Sequence, residues 1–343
     1  MRKLLNTLYV TTQGAYLHKD GDTVVVESNG LKILQLPIHT IGSIVCFGNV
    51  LCSPFLLGFC ASRDISISFL SEHGNFLAAL RGPVQGNVLL RREQYRFADS
   101  ASHTLSIAGN CVLGKISNCS VVLKRMLRDH SEKVNTIRIN EALQDIKNLM
   151  ACSHHAETLD ELRGYEGLAA AKYFGVFDEM IIGQEADFTF TGRNRRPPTD
   201  NVNALLSYIY TILSHDMRSA LESVGLDPSV GFLHSDRPGR YGLALDLMEE
   251  FRPVIADRLV LSLINRGQVK GSDFSQSITH SVTMTDSARK TVLSAYQLRK
   301  NEKIFHPFLK EEVPIGLLFF VQANLLARYI RGDIDGYPPF FWR

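Results

Sequence analysis

The hydrophobic pattern of this chain changes period once, just beyond residue 80, and that change limits what it can fold into. Before it come short runs rich in β-branched and aromatic residues: Thr7 to Thr11, Ala15 to His18, Thr23 to Glu27, Lys32 to Gln35, Gly42 to Phe47, Ile65 to Leu70 and Phe76 to Ala79. Runs of this length and composition predict strands. Asp20-Gly21-Asp22 and Ser28-Asn29-Gly30 fall between them, and glycine and asparagine accept the positive φ that tight hairpins require. Pro54 to Ala61 is the one short apolar stretch here that reads as a helix.

Gly82-Pro83 and Gly86 mark a boundary. From Val88 onward the apolar residues recur at helical spacing, through Leu105 to Leu127 and Ile137 to Met150. Thr158-Leu159-Asp160-Glu161 has the capping-box pattern, so a helix opens near Thr158 and carries Glu166 about two turns in. Asp200 suits the N-cap of a helix running toward Gly225, and Pro314 suits the first turn of one that stops near Gly332. The expected fold is α+β: a small β-rich, β-sandwich-like domain over residues 1–82, a linker at 83–88, and a larger all-α domain over 89–343. No internal repeat or low-complexity segment interrupts this plan.

Composition narrows the setting. A formal charge of +2 on 343 residues does not coat the chain in positive charge, so a nucleic-acid surface must come from local clustering. The six cysteines show no Cys-x-x-Cys spacing and lie among apolar residues, which fits buried free thiols in a reducing cytoplasm. Met1-Arg2-Lys3-Leu4-Leu5 turns polar at Asn6, too soon for a secretory leader. Ile315 to Ile330 is strongly apolar, but Gln322, Asn324 and Arg328 interrupt it and it is short for a bilayer span, so it reads as a buried helix and no membrane partner is expected.

Chemistry concentrates in a few places. Gly231-Phe232-Leu233-His234-Ser235-Asp236-Arg237-Pro238-Gly239-Arg240 leads into a helical pattern in which Asp246, Glu249 and Arg252 stand three apart and share one face. Upstream, Arg163-Gly164-Tyr165-Glu166-Gly167 supplies another carboxylate. Each has a plainer explanation by itself: a solvated helix face with an ion pair, an exposed helical glutamate, a hydrogen-bonded loop histidine. Jointly, mixed carboxylate and imidazole donors suit Mg2+ or Mn2+ with open positions for water and phosphate. Arg237, Arg240 and Arg252 lie close in sequence for holding phosphate oxygens, with pairing to Asp236, Glu249 or Glu250 as the alternative. The loop Gly192-Arg193-Asn194-Arg195-Arg196-Pro197-Pro198 puts Arg193, Arg195 and Arg196 in a compact basic patch that suits DNA phosphates, or is merely solvated.

Two other patterns are set aside. Gly109 to Lys115 has P-loop spacing, but Ile116 replaces the metal-binding hydroxyl and the segment reads as helix throughout. His154-His155 beside Glu157 are adjacent, not four apart, and read as surface histidines.

Taken together, Arg163-Gly164-Tyr165-Glu166-Gly167, Thr191-Gly192-Arg193-Asn194-Arg195-Arg196-Pro197-Pro198, Asn201-Val202-Asn203-Ala204-Leu205-Leu206-Ser207-Tyr208 and Gly231-Phe232-Leu233-His234 resemble the CRISPR-associated adaptation integrases, the Cas1 family, and most of all its subtype I-C form. The resemblance spans nearly the whole chain. It implies a β-rich N-terminal domain, a short linker and a helical catalytic domain. It further implies a divalent ion held by Glu166, His234 and Glu249, with Asp246 in a supporting role and Asn203 orienting His234 or a water, unless Asn203 simply caps its helix. The implied activity is insertion of captured DNA into a repeat array by 3′-hydroxyl attack on a phosphodiester, with nuclease activity beside it. The implied assembly is a homodimer, joined through the N-terminal domain, with the small partner Cas2 and DNA in a heterohexamer-like complex. A noncatalytic DNA-binding scaffold and a small-molecule metal phosphoesterase are the rival readings.

Overall fold

The computed structural model describes residues 6–63, 65–72, 76–80, 88–183, 186–194, 197–278 and 280–342. The linker expected at 83–88 therefore lies outside the described residues, except Val88, and Arg195 and Arg196 lie outside them too. The chain divides into two compact units, Met1–Gly86 with Leu293–Asn301, and Asn87–Val292 with Glu302–Arg343.

In the first unit eight strands form two four-stranded sheets: β1 (Asn6–Val10), β2 (Ala15–Asp20), β3 (Thr23–Ser28), β4 (Leu31–Pro37), β5 (Ile41–Phe47), β6 (Val50–Cys52), β7 (Ser66–Leu70) and β8 (Phe76–Leu80), with helix α1 (Pro54–Ala61) between β6 and β7. One sheet runs β4-β3-β2-β6, an antiparallel meander whose far strand β6 is parallel to β2. The other runs β1-β5-β7-β8, with β1, β5 and β7 parallel and β8 antiparallel. Alternate residues from both sheets and α1 fill one core: Leu17, Val24, Ile41, Ile44, Leu56, Cys60 and Ile67 are almost wholly buried. Each such side chain stabilises the fold by about 1.5–3 kcal/mol relative to exposure. The sequence pattern missed β6, because three residues are too short to show alternation. Gly21 and Gly30 both have positive φ, as the hairpin turns demand.

The second unit is built from α2 (Val88–Asp99), α3 (Ala101–His130), α4 (Thr136–His154), α5 (Leu159–Phe174), α6 (Asn201–Val224), α7 (Gly242–Met248), α8 (Arg258–Asn265), α9 (Asp286–Asn301) and α10 (Ile315–Ile330); the second half of α9 belongs with the first unit. Two short hairpins correct the all-α expectation: β9 (Phe274–Gln276) with β10 (Val282–Met284), and β11 (Lys303–His306) with β12 (Glu311–Pro314). Short polar strands of this kind carry no helical or alternating apolar signal.

Local chemistry sets the ends of the helices that matter most. Thr158 and Glu161 form a reciprocal capping box at the start of α5. Asp200 Oδ1 accepts from Asn203 N at 2.7 Å to start α6, and Gly225, at φ 89°, ends it in the left-handed conformation. Helix α3 is long and apolar enough to cross a membrane, but 56% of its most apolar window is buried inside the fold, where it packs on α4 and α5. It is the central helix of the second unit.

Candidate active site

Helix α7 ends at Met248, and Pro253, which has no N–H to offer the regular ladder, opens a widened π-helical turn over Arg252–Asp257. In the bend between them two consecutive glutamates are buried, Glu249 at 2% exposure and Glu250 at 0%. The two serve different neighbours. Glu249 meets Lys115 of α3, while Glu250 holds the C-terminal tail.

Lys115 lies midway along α3 with its side chain only 9% exposed. Its ammonium is hydrogen-bonded to Glu166 Oε1, from α5, and lies 2.7 Å from Glu249 Oε2. The second contact is an ion pair without a directed hydrogen bond, so this buried oxygen of Glu249 has no hydrogen-bond partner. Arg252 Nη1 pairs with the other oxygen, Glu249 Oε1, at 2.8 Å. Burial by itself would push the Glu249 carboxyl up, but Arg252 and Lys115, with His234 nearby, outweigh it and hold the group well below the usual carboxylate range. The face carrying Glu249 and Arg252 is thus buried and paired, not the solvated face that spacing alone allowed.

His234 is set from the other side. Gln94 of α2 donates to the carbonyls of Asp227 and Val230 and accepts from Asp227 N, fixing the approach to the Gly-Phe-Leu-His segment. Arg163, one turn before Glu166, donates from Nε and Nη2 to Leu233 O at 3.0 and 2.7 Å, tying α5 to the residue before His234. Asp246 is fully buried and accepts four hydrogen bonds: Phe232 N and Leu233 N on Oδ2, His234 N and Nδ1 on Oδ1. A carboxylate gathering four donors acts as acceptor toward Nδ1, which places a ring proton there and leaves Nε2 as the nitrogen outside this contact. The packing is tight. A Cβ on Gly231 would lie 2.7 Å from the Gly242 carbonyl carbon and 2.8 Å from Asp246 Oδ2, so only glycine fits.

Among the described residues no three histidine, cysteine, aspartate or glutamate side chains gather as a set able to hold a metal. The expected trio Glu166, His234 and Glu249 is brought together only in part: the two glutamates share one cation, and His234 stands close enough to act on Glu249 electrostatically while its Nδ1 is committed to Asp246. Asp246 is placed as the buttress of His234, with every lone-pair direction used. The donors nonetheless fit a divalent ion. Two carboxylates from separate elements converge on a buried positive charge, and one of their oxygens lacks a directed hydrogen bond.

Several expectations are corrected. Asn203 does not orient His234: its oxygen accepts from Arg193 Nη1 and Asn194 N, and its amide donates to Gly192 O and Asp200 Oδ2, which exhausts its capacity. It ties the 191–194 loop to the start of α6. Arg193 is drawn into the same network, bonding Asn203 and, at 3.0 Å, Ser207 Oγ. Arg252 is 11% exposed, paired with Glu249 and 4.9 Å from the Tyr210 ring centroid, so it is part of the buried charge cluster and not a surface phosphate contact. Arg237 is exposed and Arg240 half-buried, in one turn closed by Arg240 N to Arg237 O. His154 and His155 are exposed, as expected of surface histidines.

Two buried features adjoin the cluster. The Glu250 carboxylate accepts from Tyr337 Oη at 2.6 Å, Phe340 N at 2.7 Å and Gln322 Nε2 at 3.1 Å, and burial pushes it up to about 7. Asn118 of α3 donates to Glu250 O and Phe340 O and accepts from Trp342 N, locking the tail against the bend that carries Glu249 and Glu250. On the opposite side, a cavity of about 580 Å³ is lined by Lys115, Tyr173, Arg193, Tyr210, Arg252 and Asp257 among others. The Asp257 carboxyl, which accepts from Tyr210 Oη at 2.5 Å, is pushed up to about 6 by burial.

The chain has known relatives. The family model described as "CRISPR associated protein Cas1" matches residues 8–298. The chain belongs to the Cas1 family. A CRISPR-associated endonuclease Cas1 of Chlorobaculum tepidum is 54% identical over 343 residues, covering 100% of both chains, and one of Rhodospirillum rubrum is 51% identical over 347 residues, again with 100% of both covered. Among solved structures, a casposase bound to integration product superposes with a TM-score of 0.84 at 22% identity, over 99% of this chain and 95% of that one. A Cas1 protein from Thermotoga maritima gives 0.82 at 22%, over 98% and 99%. These structures share the fold.

In this Cas1 chain, sequence reasoning missed Lys115, Arg163 and Gln94 as parts of the site. Lys115 left a readable trace: a lysine inside Cys111-Val112-Leu113-Gly114-Lys115-Ile116, on a helix otherwise apolar at that level, is a buried charge needing partners. Discarding the P-loop removed the wrong role for Lys115 without supplying the right one. Arg163 and Gln94 gave no such sign, since their acceptors are backbone carbonyls far away in sequence.

Proposed function

We propose that this Cas1-family chain is the metal-dependent DNA integrase and endonuclease of CRISPR adaptation, joining the 3′-hydroxyl of a captured fragment to a phosphodiester at a repeat border. The observation that carries this reading is the convergence of Glu166 and Glu249, from separate elements, on one buried cation. Glu166, Glu249 and His234 through Nε2 would hold Mg2+ or Mn2+. Such an ion supplies Lewis acidity toward phosphate oxygen and favours deprotonation of the attacking hydroxyl. The residues do the rest. Asp246 fixes the tautomer and direction of His234, Arg163 holds His234 at a set distance from Glu166, and Arg252 keeps Glu249 ionised and oriented. Exposed Arg237, three residues after His234, offers a guanidinium that binds DNA phosphate without reading sequence.

The reaction is a transesterification: the 3′-oxygen forms a bond to phosphorus, a strand of the repeat leaves with its own 3′-oxygen, and the proton of the attacking hydroxyl passes to solvent or to a nearby base. Water in place of the hydroxyl gives hydrolysis. The relatives named as endonucleases support the nuclease side, and the casposase solved with its integration product supports the transfer side.

The proposed partners are DNA, a second copy of this chain and Cas2, in the heterohexamer-like assembly implied by the sequence resemblance, with the subtype I-C form resting on the same resemblance and a cytoplasmic location on the free cysteines. A Cas6-RT-Cas1–Cas2 complex contains a chain of this fold, at a TM-score of 0.81. In the first unit β4 is an edge strand that exposes Leu31, Ile33 and Leu34, an apolar edge of the kind a mate would cover. The deciding experiment is strand transfer of a labelled fragment into repeat DNA with and without Mn2+ or Mg2+, comparing the parent with Glu166→Ala. The variant is expected to lose transfer and cleavage while keeping DNA binding. Undiminished transfer by a folded Glu166→Ala chain would remove Glu166 from the chemistry and overturn the proposed ion site.

A further inference from the structure

Lys115 is a costly residue to keep where it is. Its ammonium is almost wholly withdrawn from water in the middle of a core helix, and only the paired carboxylates of Glu166 and Glu249 make that tolerable. Those carboxylates are also the proposed ligands of the divalent ion, so two cations have a claim on the same oxygens. The side chain has somewhere else to go. Besides touching both glutamates, Lys115 lines the cavity of about 580 Å³, whose walls include Tyr173, Tyr210 and the Asp257 carboxyl together with Arg193 and Arg252. Four methylenes give the ammonium reach and freedom to turn.

We propose that Lys115 is a resident counter-ion of the carboxylate pair that competes with the divalent ion: its ammonium holds Glu166 and Glu249 together and swings into the adjoining cavity when the ion binds. The inference rests on the reading of Glu166 and Glu249 as metal ligands. The exchange is non-covalent and the lysine keeps its proton throughout. Pre-assembly stops the two carboxylates from repelling each other apart, at the expense of some affinity for the ion. It also delivers a positive charge into the cavity beside the reacting centre at the moment the ion arrives, where a DNA phosphate can use it.

The sign of one measurement separates this from a purely structural role. A structural lysine, once removed, leaves a damaged site that binds the ion less well, whereas removing a competitor makes binding tighter. Calorimetric titration of Mn2+ alone into the full chain should show Lys115→Met binding at least about fivefold more tightly than the parent, the lower end of common coupling between sites. Lys115→Arg, which keeps the charge, should bind no more tightly than the parent, and added Mn2+ should raise the Tm of Lys115→Met by more than that of the parent. Equal or weaker Mn2+ affinity in Lys115→Met overturns the proposal. The unsubstituted protein gives a second readout that does not depend on the variant folding. Mn2+ should increase labelling of Lys115 by acetic anhydride, read by mass spectrometry, and unchanged or reduced labelling is contrary to the idea. Glu166→Gln separates the two layers. If it weakens Mn2+ binding while Lys115→Met leaves it unchanged, only the competition fails; if the parent itself binds no Mn2+, the metal reading falls and the competition with it.

Discussion

Replacing Asp246 by asparagine tests how the site is held together. The carboxylate uses both oxygens, Oδ2 for Phe232 N at 2.6 Å and Leu233 N at 3.0 Å, and Oδ1 for His234 N at 3.0 Å and His234 Nδ1 at 2.6 Å. Asparagine keeps one oxygen: with its NH2 in place of Oδ2 it faces two backbone donors, and with its NH2 in place of Oδ1 it faces His234 N and forces Nδ1 into the opposite tautomer, all in a fully buried pocket. Two hydrogen bonds to a charged acceptor are lost, at about 1.5–3 kcal/mol each, so the expected cost is about 3–6 kcal/mol. At roughly 2 °C per kcal/mol for a unit of this size, the Tm should fall by about 6–12 °C. His234→Ala is the control: three backbone donors keep their acceptor, one bond to the carboxylate is lost, and the loss should be about 1.5–3 kcal/mol, half that of Asp246→Asn. Thermal unfolding and urea titration of both variants, alongside strand transfer, make the comparison. The two should share the catalytic defect but not the size of the stability defect. An Asp246→Asn chain with the parent's Tm and weakened Mn2+ binding would refute the cradle and make Asp246 a ligand.

Three further outcomes follow from the same geometry. A chain ending at Gly336 loses the Tyr337 and Phe340 donors to Glu250 and the buried Phe340 ring stacked on Phe251; the ring alone is worth about 3–5 kcal/mol, so the urea midpoint should drop sharply and activity should go with it. Arg237→Ala should reduce the salt slope of DNA binding by about one with no change in Tm, while Arg193→Ala, removing a guanidinium bonded to Asn203 and Ser207, should lower Tm; the opposite pattern in the two would reverse their assignment. Asp257 keeps its proton in the folded chain from its ordinary 3.8 up to about 6, where the unfolded chain has already released it. The folded state binds more protons across that window, so this group's contribution to stability is full below 3.8, declines as pH rises through about 6 and is level above. Asp257→Asn should flatten that decline in a Tm-against-pH series, and an unaltered slope would assign it to another group.

The sequence by itself determined most strands of the first unit and the ends of the main helices. The β-branched run Thr23 to Glu27, the capping box at Thr158, the cap at Asp200 and the stop at Gly225 are local physics, acting within a few residues, and each stands where the pattern put it. It also marked the segments that carry the site, because Gly-Phe-Leu-His and the Asp246 to Arg252 run are contiguous. Tertiary structure alone decided what those residues do. That Glu166 and Glu249, 83 positions apart, meet on Lys115, 51 positions before Glu166, depends on three helices packing around α3. The same spacing that allowed a solvated ion pair for Glu249 and Arg252 became a buried charge cluster because the bend after α7 and the π-helical turn that follows it are packed against α3. Asn203, Arg193 and Arg252 looked like surface or ligand-orienting groups because a sequence shows which groups can bond but not which partners come within reach. Burial and long-range approach set those partners, and neither is encoded in any one stretch of chain.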